Sequence, residues 1–172
     1  MYIKTPRLEL KAIAPDSLDN LINLLMDPVV TKTYMVPDFS NRAEAKNLAQ
    51  KLIAMSYQEA RRVAGIYCGN VLIGILNQTD ADGDRIELGY ALLPQFHNCG
   101  YGTEALRGAI HYCFSLGFRE VLTGAFAENT PSIRVMIKCG MRKTDLQEEI
   151  TYRDKNHACV YYSIIKEESY AV

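Results

Sequence analysis

The stretch best suited to chemistry runs Ile86-Glu87-Leu88-Gly89-Tyr90-Ala91-Leu92-Leu93-Pro94-Gln95-Phe96-His97-Asn98-Cys99-Gly100-Tyr101-Gly102-Thr103-Glu104-Ala105. It reads as a strand, then a loop with two glycines, then the start of a helix. Gly100 and Gly102 let the backbone turn so that several N–H groups face one point. The helix start adds unpaired donors and the positive end of its dipole. Together these features make a seat for a pyrophosphate. No lysine takes part, so the backbone must do most of the anion binding.

Other readings of the same loop fare less well. Gly100-x-Gly102-x-x-Ala105 also matches the dinucleotide fingerprint. That fold sets its glycines directly behind the strand, whereas Pro94 to Cys99 intervene here. It also calls for an acidic residue at the end of the next strand. Glu120 precedes that strand and Glu128 lies too far along. A Walker A loop is excluded because no Gly-Lys-Ser/Thr follows. The plain alternative is a glycine-rich connection with no ligand. Asp80-Ala-Asp82-Gly83-Asp84 superficially resembles a calcium loop, but its twelfth position is Ala91 rather than Glu. A polar hairpin turn is the better reading. His111 and His157 have no ligand-spaced partners, so no metal site is expected.

The elements that position this segment follow from periodicity. Thr5 to Lys11 alternates and reads as a first strand. Leu18, Leu21, Ile22 and Leu25 have helical spacing, closed by Asp27-Pro28. Ser40-Asn41 with Glu44 resembles the capped start of a longer helix carrying Ala45, Leu48, Ala49 and Leu52. Strands at Val63 to Cys68 and Val71 to Asn77 flank a tight turn at Gly69-Asn70. Ile86 to Leu93 is a strand stopped by Pro94. A helix from Gly100 to Leu116 puts Leu106, Ala109, Ile110 and Cys113 on one face and closes at Gly117. Val121 to Ala127 is a strand, and Pro131 opens a helix that runs to Cys139 and ends at Gly140. Strands near Arg142 to Glu149 and His157 to Lys166 complete an α+β pattern. Of Tyr161 and Tyr162, one is expected to face the core and the other to line a cleft. No repeat or linker breaks the chain, so residues 1–172 are expected to form a single domain.

Composition narrows the function classes. The chain has 172 residues, 48% of them hydrophobic and 23% charged, as in an ordinary globular domain. A formal net charge of −1 gives no basic surface for nucleic acid. No apolar run approaches a membrane span, and Met1 to Pro6 lacks a signal-peptide layout. Cys68, Cys99, Cys113, Cys139 and Cys159 contain no CxxC pair and are odd in number. They fit free thiols in a reducing, cytoplasmic setting.

At this point the sequence resembles the GNAT acetyltransferase superfamily, and within it the ribosomal-protein N-terminal acetyltransferase-like branch. The resemblance covers nearly the whole chain. It rests on Thr5-Pro-Arg-Leu-x-Leu10, Glu87-Leu-Gly-Tyr, Pro94, Gly100-Tyr-Gly-Thr-Glu-Ala, Asn129-x-x-Ser132 and Lys138-Cys-Gly140-Met, in the family's order and spacing. It implies a GNAT fold: a mixed, strongly twisted sheet flanked by helices, of the α/β three-layer sandwich type. It further implies splayed parallel strands at 86–93 and 121–127, with coenzyme A bound between them. The pyrophosphate would rest on the N–H groups of Asn98, Cys99, Gly100, Tyr101, Gly102 and Thr103. Pantetheine would pair like an extra strand with Ala91, Leu92 and Leu93. Two positions depart from the family pattern. His97 stands where Arg or Gln is frequent, and Cys99 stands where Lys is frequent, which removes a charge.

Direct transfer from acetyl-coenzyme A to an amine needs a proton acceptor, a polarised carbonyl and a protonated leaving thiolate. The resemblance assigns the base to Glu87, with a structural or substrate-positioning role as its alternative. A strand N–H near Leu92 or Leu93 would polarise the carbonyl. Asn129 would bond the cofactor or, alternatively, shape the turn before Pro131. Met136 occupies the position where many family members carry an acidic tyrosine. Ser132, from the branch's Asn-x-x-Ser pattern, is the substitute, with water as its alternative. The implied acceptor is a primary amine, on a small molecule or a protein N-terminus, and a homodimer is a further expectation. The competing class is a non-catalytic acyl-coenzyme A sensor, which would keep the loop without needing Glu87.

Overall fold

A computed structural model describes residues 1–167. The final five residues of the expected 1–172 domain lie outside the described residues. The elements are β1 (Ile3–Lys4), β2 (Glu9–Lys11), α1 (Leu18–Met26), α2 (Arg42–Ser56), β3 (Val63–Cys68), β4 (Val71–Asp82), β5 (Arg85–Leu92), α3 (Tyr101–Ser115), β6 (Glu120–Phe126), α4 (Thr130–Lys138), β7 (Arg142–Tyr152) and β8 (Lys155–Ile165). The strands form one mixed sheet in the order β1-β2-β3-β4-β5-β6-β8-β7. β5 and β6 are parallel, while β1–β2, β2–β3, β3–β4, β6–β8 and β7–β8 are antiparallel. This is the expected α+β architecture.

The described chain divides into two compact units. The first comprises Met1–Asn77 with Tyr90–Ala105. Its core gathers Leu21, Ile22, Leu24 and Leu25 of α1 with Ala45 and Ala49 of α2, against Val63, Tyr67, Leu72 and Ile75. Each fully buried aliphatic side chain of this kind contributes about 1.5–3 kcal/mol through removal from water. α2 begins as its sequence indicates: Asn41 Oδ1 accepts from Glu44 N at 3.1 Å, and Glu44 Oε2 accepts from Ser40 N at 2.9 Å.

The expected strand over 5–11 is broken. Thr5 N donates to Leu8 O at 2.9 Å, and Thr5 Oγ1 accepts from Leu8 N at 3.0 Å. Pro6 supplies no N–H to a ladder, and the threonine hydroxyl offers its neighbours a local partner instead. A tight turn therefore separates β1 from β2.

The second unit comprises Gln78–Gly89 with Leu106 onward. α3 buries Leu106, Ala109, Ile110 and Cys113 there, the face read from its periodicity. β7 and β8 run longer than expected and meet at Arg153-Asp154, both with positive φ (52° and 58°). Such a turn matches the right-handed twist of its strands, so pairing continues up to it. Tyr161 and Tyr162 are both buried, which corrects the expectation that one lines a cleft. Tyr161 belongs to a cluster with Leu122 and Cys159, and its ring lies over Gly124.

The end of β5 is pinned in the first unit. Leu93 N donates to Ile73 O at 2.9 Å. A Cβ at Gly74 would run into Ala91 O and the side chain of Leu92, so only glycine permits this approach. Gly74→Ala is therefore expected to destabilise the protein by about 1–3 kcal/mol through overpacking. A lowered midpoint in thermal or urea unfolding checks this, and an unchanged midpoint contradicts it.

Candidate active site

The glycine loop lies wholly in the first unit. Pro94 ends β5 and starts a single 3-10 turn to Phe96. His97 Nε2 donates to Leu92 O at 2.8 Å, tying the loop back to the strand. Asn98 (φ 60°) and Gly100 (φ 80°) then take left-handed conformations on either side of Cys99. Such turns break the regular backbone ladder over this stretch. Among the described residues, the N–H groups of Asn98 to Gly102 have no protein acceptor. α3 begins at Tyr101, so those donors coincide with the positive end of its dipole.

An acidic residue in the first turn of α3 anchors this loop. Glu104 Oε1 accepts from Thr5 Oγ1 at 2.6 Å and from Arg7 N at 2.8 Å, and Oε2 accepts from Arg7 Nε at 2.7 Å. Burial pushes this carboxyl up, but the bonds from Thr5 and Arg7 and the charge of Arg7 outweigh it. The net shift is downward. Arg7 also donates from Nη1 to Cys99 O at 3.0 Å, and its guanidinium lies 4.6 Å from the Tyr101 ring centroid. The Cys68 thiol donates to the Tyr101 hydroxyl at 3.7 Å. Arg7 and Glu104 were missed as site residues from the sequence. Their only signal was Thr5-Pro-Arg-Leu8 itself, with nothing local to show what the arginine meets.

Of the expected cofactor contacts, Ala91, Leu92, Leu93 and Asn98 to Thr103 fall together in this unit. Leu93 N–H is already committed to Ile73 O. In an extended strand, successive N–H groups point to opposite edges. Leu92 N–H therefore points away from β4.

Glu87, Asn129 and Ser132 lie in the second unit. The recorded β5–β6 ladder spans Arg85↔Glu120, Ile86↔Val121 and Glu87↔Leu122. Past it, the buried Thr123 hydroxyl donates to Leu88 O. Glu87 is half-buried and shares a sheet face with Leu122, Gly124 and Tyr161, as the strand register requires. Its carboxyl is raised above the ordinary value, first by burial and further by the negative charges of Asp80 and Glu148. A hydrogen bond with Thr79 and the charge of Arg85 oppose the shift only partly. Glu148 in turn accepts from the Tyr161 hydroxyl at 3.0 Å.

Asn129 Oδ1 accepts from Ser132 N at 3.3 Å and caps α4. The cap places Ser132 in the first turn of α4. His157 Nδ1 donates to Glu128 Oε1 at 2.6 Å and stacks on Phe126 at 4.2 Å between ring centroids. Nothing in the sequence pointed to this pair.

Comparison with known proteins agrees with this architecture. A family model described as an acetyltransferase (GNAT) domain matches residues 7–142. The chain is 28% identical over 170 residues to "Uncharacterized N-acetyltransferase p20" of Bacillus licheniformis, covering 95% of this chain and 96% of that one. It is 26% identical over 171 residues to "Uncharacterized N-acetyltransferase YoaA" of Bacillus subtilis (strain 168), with the same coverage of 95% and 96%. The crystal structure of a GNAT-family acetyltransferase from Bacillus anthracis superposes with a TM-score of 0.84 at 25% identity, over 98% of this chain and 100% of that one. RimL, a ribosomal L7/L12 alpha-N-protein acetyltransferase in complex with coenzyme A, shares the fold at TM-score 0.83 and 18% identity, over 96% and 98%. With the family's domain spanning most of its length, the chain belongs to the GNAT acetyltransferases and is an acyltransferase.

Proposed function

We propose that residues 1–172 act as one domain that transfers an acetyl group from acetyl-coenzyme A to a primary amine. The acceptor is a protein N-terminal α-amine or a small-molecule amine, and the setting is cytoplasmic. The observation that carries this reading is the run of N–H groups from Asn98 to Gly102 at the start of α3, which have no acceptor among the described residues. Family neighbours support the donor: RimL was solved with coenzyme A, and the microcin C7 self-immunity acetyltransferase MccE with acetyl-coenzyme A and AMP.

In this reading, Asn98, Cys99, Gly100, Tyr101, Gly102 and Thr103 hold the pyrophosphate, while Ala91, Leu92 and Leu93 align the pantetheine arm. Leu92 N–H donates to the thioester oxygen as negative charge builds there. The amine nitrogen forms the new bond to the carbonyl carbon. Its proton passes to Glu87, directly or through water. The carbon–sulfur bond then breaks, and the thiolate takes a proton from Ser132 or from water. Asn129, whose Oδ1 caps α4 at Ser132 N, bonds the cofactor through its remaining amide group. No covalent intermediate on the protein is required.

A base works only when ionised, and the Glu87 carboxyl is raised. kcat/KM is therefore expected to fall as pH drops through an apparent pKa above the ordinary carboxylate range. Thiol release from acetyl-coenzyme A across a panel of amines and peptides measures this. Glu87→Gln should lower the rate by about a hundredfold or more and abolish the acidic limb. A Glu87→Gln enzyme with undiminished rate and the same pH profile contradicts the base assignment. Release that no amine stimulates, despite tight binding of acetyl-coenzyme A, favours the sensor alternative.

Thiol reactivity tests the loop independently. Cys99 is exposed, while Cys113, Cys139 and Cys159 are buried, and burial raises the Cys139 thiol to about 11. Cys99 should modify first with an aromatic disulfide reagent, and saturating acetyl-coenzyme A should slow that modification. Peptide mapping of the labelled cysteine decides the matter, and labelling of Cys99 at the same rate with and without acetyl-coenzyme A contradicts the loop assignment.

A further inference from the structure

Arg7 has no part in the transfer described above, yet it is held at several points. Its Nε donates to Glu104 Oε2 at 2.7 Å and its backbone N to Oε1 at 2.8 Å. Nη1 donates to Cys99 O at 3.0 Å. Nη2 sits 3.3 Å from where a Cβ on Gly100 would stand. The guanidinium plane covers Tyr101 at 4.6 Å. With 48% of its side chain exposed, Arg7 makes an ion pair that does little for stability. Its geometric effect on the loop is larger.

Among the described residues every peptide bond is trans. In a planar trans peptide the carbonyl and the following N–H point in opposite directions. Drawing Cys99 O toward Arg7 therefore turns Gly100 N–H away from Arg7, to the other side of the loop. Gly100 N–H stands in the middle of the unpaired run from Asn98 to Gly102. Glycine at this position leaves the peptide freer to flip than any other residue would. A flipped Cys99–Gly100 peptide would present a carbonyl oxygen to the pyrophosphate instead of a donor.

We propose that Arg7 is a positioning residue for the pyrophosphate seat: it holds the Cys99–Gly100 peptide in the donor-outward orientation, and Glu104 holds Arg7. The inference rests on the coenzyme A reading above. It also answers the loss of the frequent Lys at position 99. This chain brings in its cation from the turn between β1 and β2, acting on a carbonyl. A lysine at position 7 cannot substitute, because one ammonium lacks the rigid fork that spans Glu104 and Cys99 O together.

The test compares two acyl donors. Acetyl-coenzyme A carries the pyrophosphate and S-acetylpantetheine lacks it. For Arg7→Lys, and to a smaller extent Glu104→Gln, KM for acetyl-coenzyme A should rise about tenfold with kcat within about twofold. kcat/KM for S-acetylpantetheine should stay at the wild-type value, as should the thermal midpoint of the unliganded Arg7→Lys protein. Equal losses with both donors would mean a merely structural role and overturn the proposal, as would unchanged KM for acetyl-coenzyme A. Wild-type protein whose midpoint does not move with acetyl-coenzyme A overturns the coenzyme reading itself, and this inference with it.

Discussion

Backbone donors left without an acceptor give up the hydrogen bonds that would otherwise hold their own segment in shape. The loop from Asn98 to Gly102 meets this constraint directly, since its N–H groups have no acceptor among the described residues. It also carries two left-handed residues, Asn98 and Gly100. Its shape must be imposed from outside. The carboxylate of Glu104 does this, taking Thr5, the backbone of Arg7 and its guanidinium together. Those donors more than offset burial, so the carboxyl stays ionised across the neutral range. The contribution of this group to stability is complete above its unfolded pKa and is lost as pH falls through the lower folded one.

The strand that leads into the loop is fixed by an equally economical device. Gly74 lets β4 come against Ala91 and Leu92, and Ile73 O takes the N–H of Leu93. His97 then closes on Leu92 O. Between them, these contacts leave little freedom at the point where β5 stops. The direction in which the loop departs is settled before its first glycine.

Local patterns were legible in the sequence, and distant pairings were not. The capping box of α2, the buried face of α3 and the proline-led start of α4 depend on residues within one or two turns, so spacing alone exposed them. The same held for the strand–loop–helix order around Gly100. The turn at 5–8 was missed because alternation suggested a continuous strand, whereas Pro6 and the Thr5 hydroxyl favoured a break. The contact between Arg7 and Glu104 joins residues 97 positions apart, and no periodicity encodes that. Tyr161 and Tyr162 were divided between core and cleft by strand alternation. Both are buried, so alternation there separates two covered faces.

Glu87 shows why a strand face can do more than hold a side chain in place. The base role proposed for Glu87 asks for a carboxylate more basic than usual, yet still largely ionised near neutral pH. Burial and the negative charges of Asp80 and Glu148 raise it, while Thr79 and Arg85 restrain the rise. Tyr161 enters indirectly: its hydroxyl donates to Glu148 at 3.0 Å and so helps fix where that carboxylate stands. Tyr161 is itself held by its cluster with Leu122 and Cys159, its ring across Gly124. A glycine on β6 thus makes room for the ring that steadies Glu148, one of the charges acting on Glu87. Sheet register, a packing choice and a proton affinity are in this way three consequences of the same few residues.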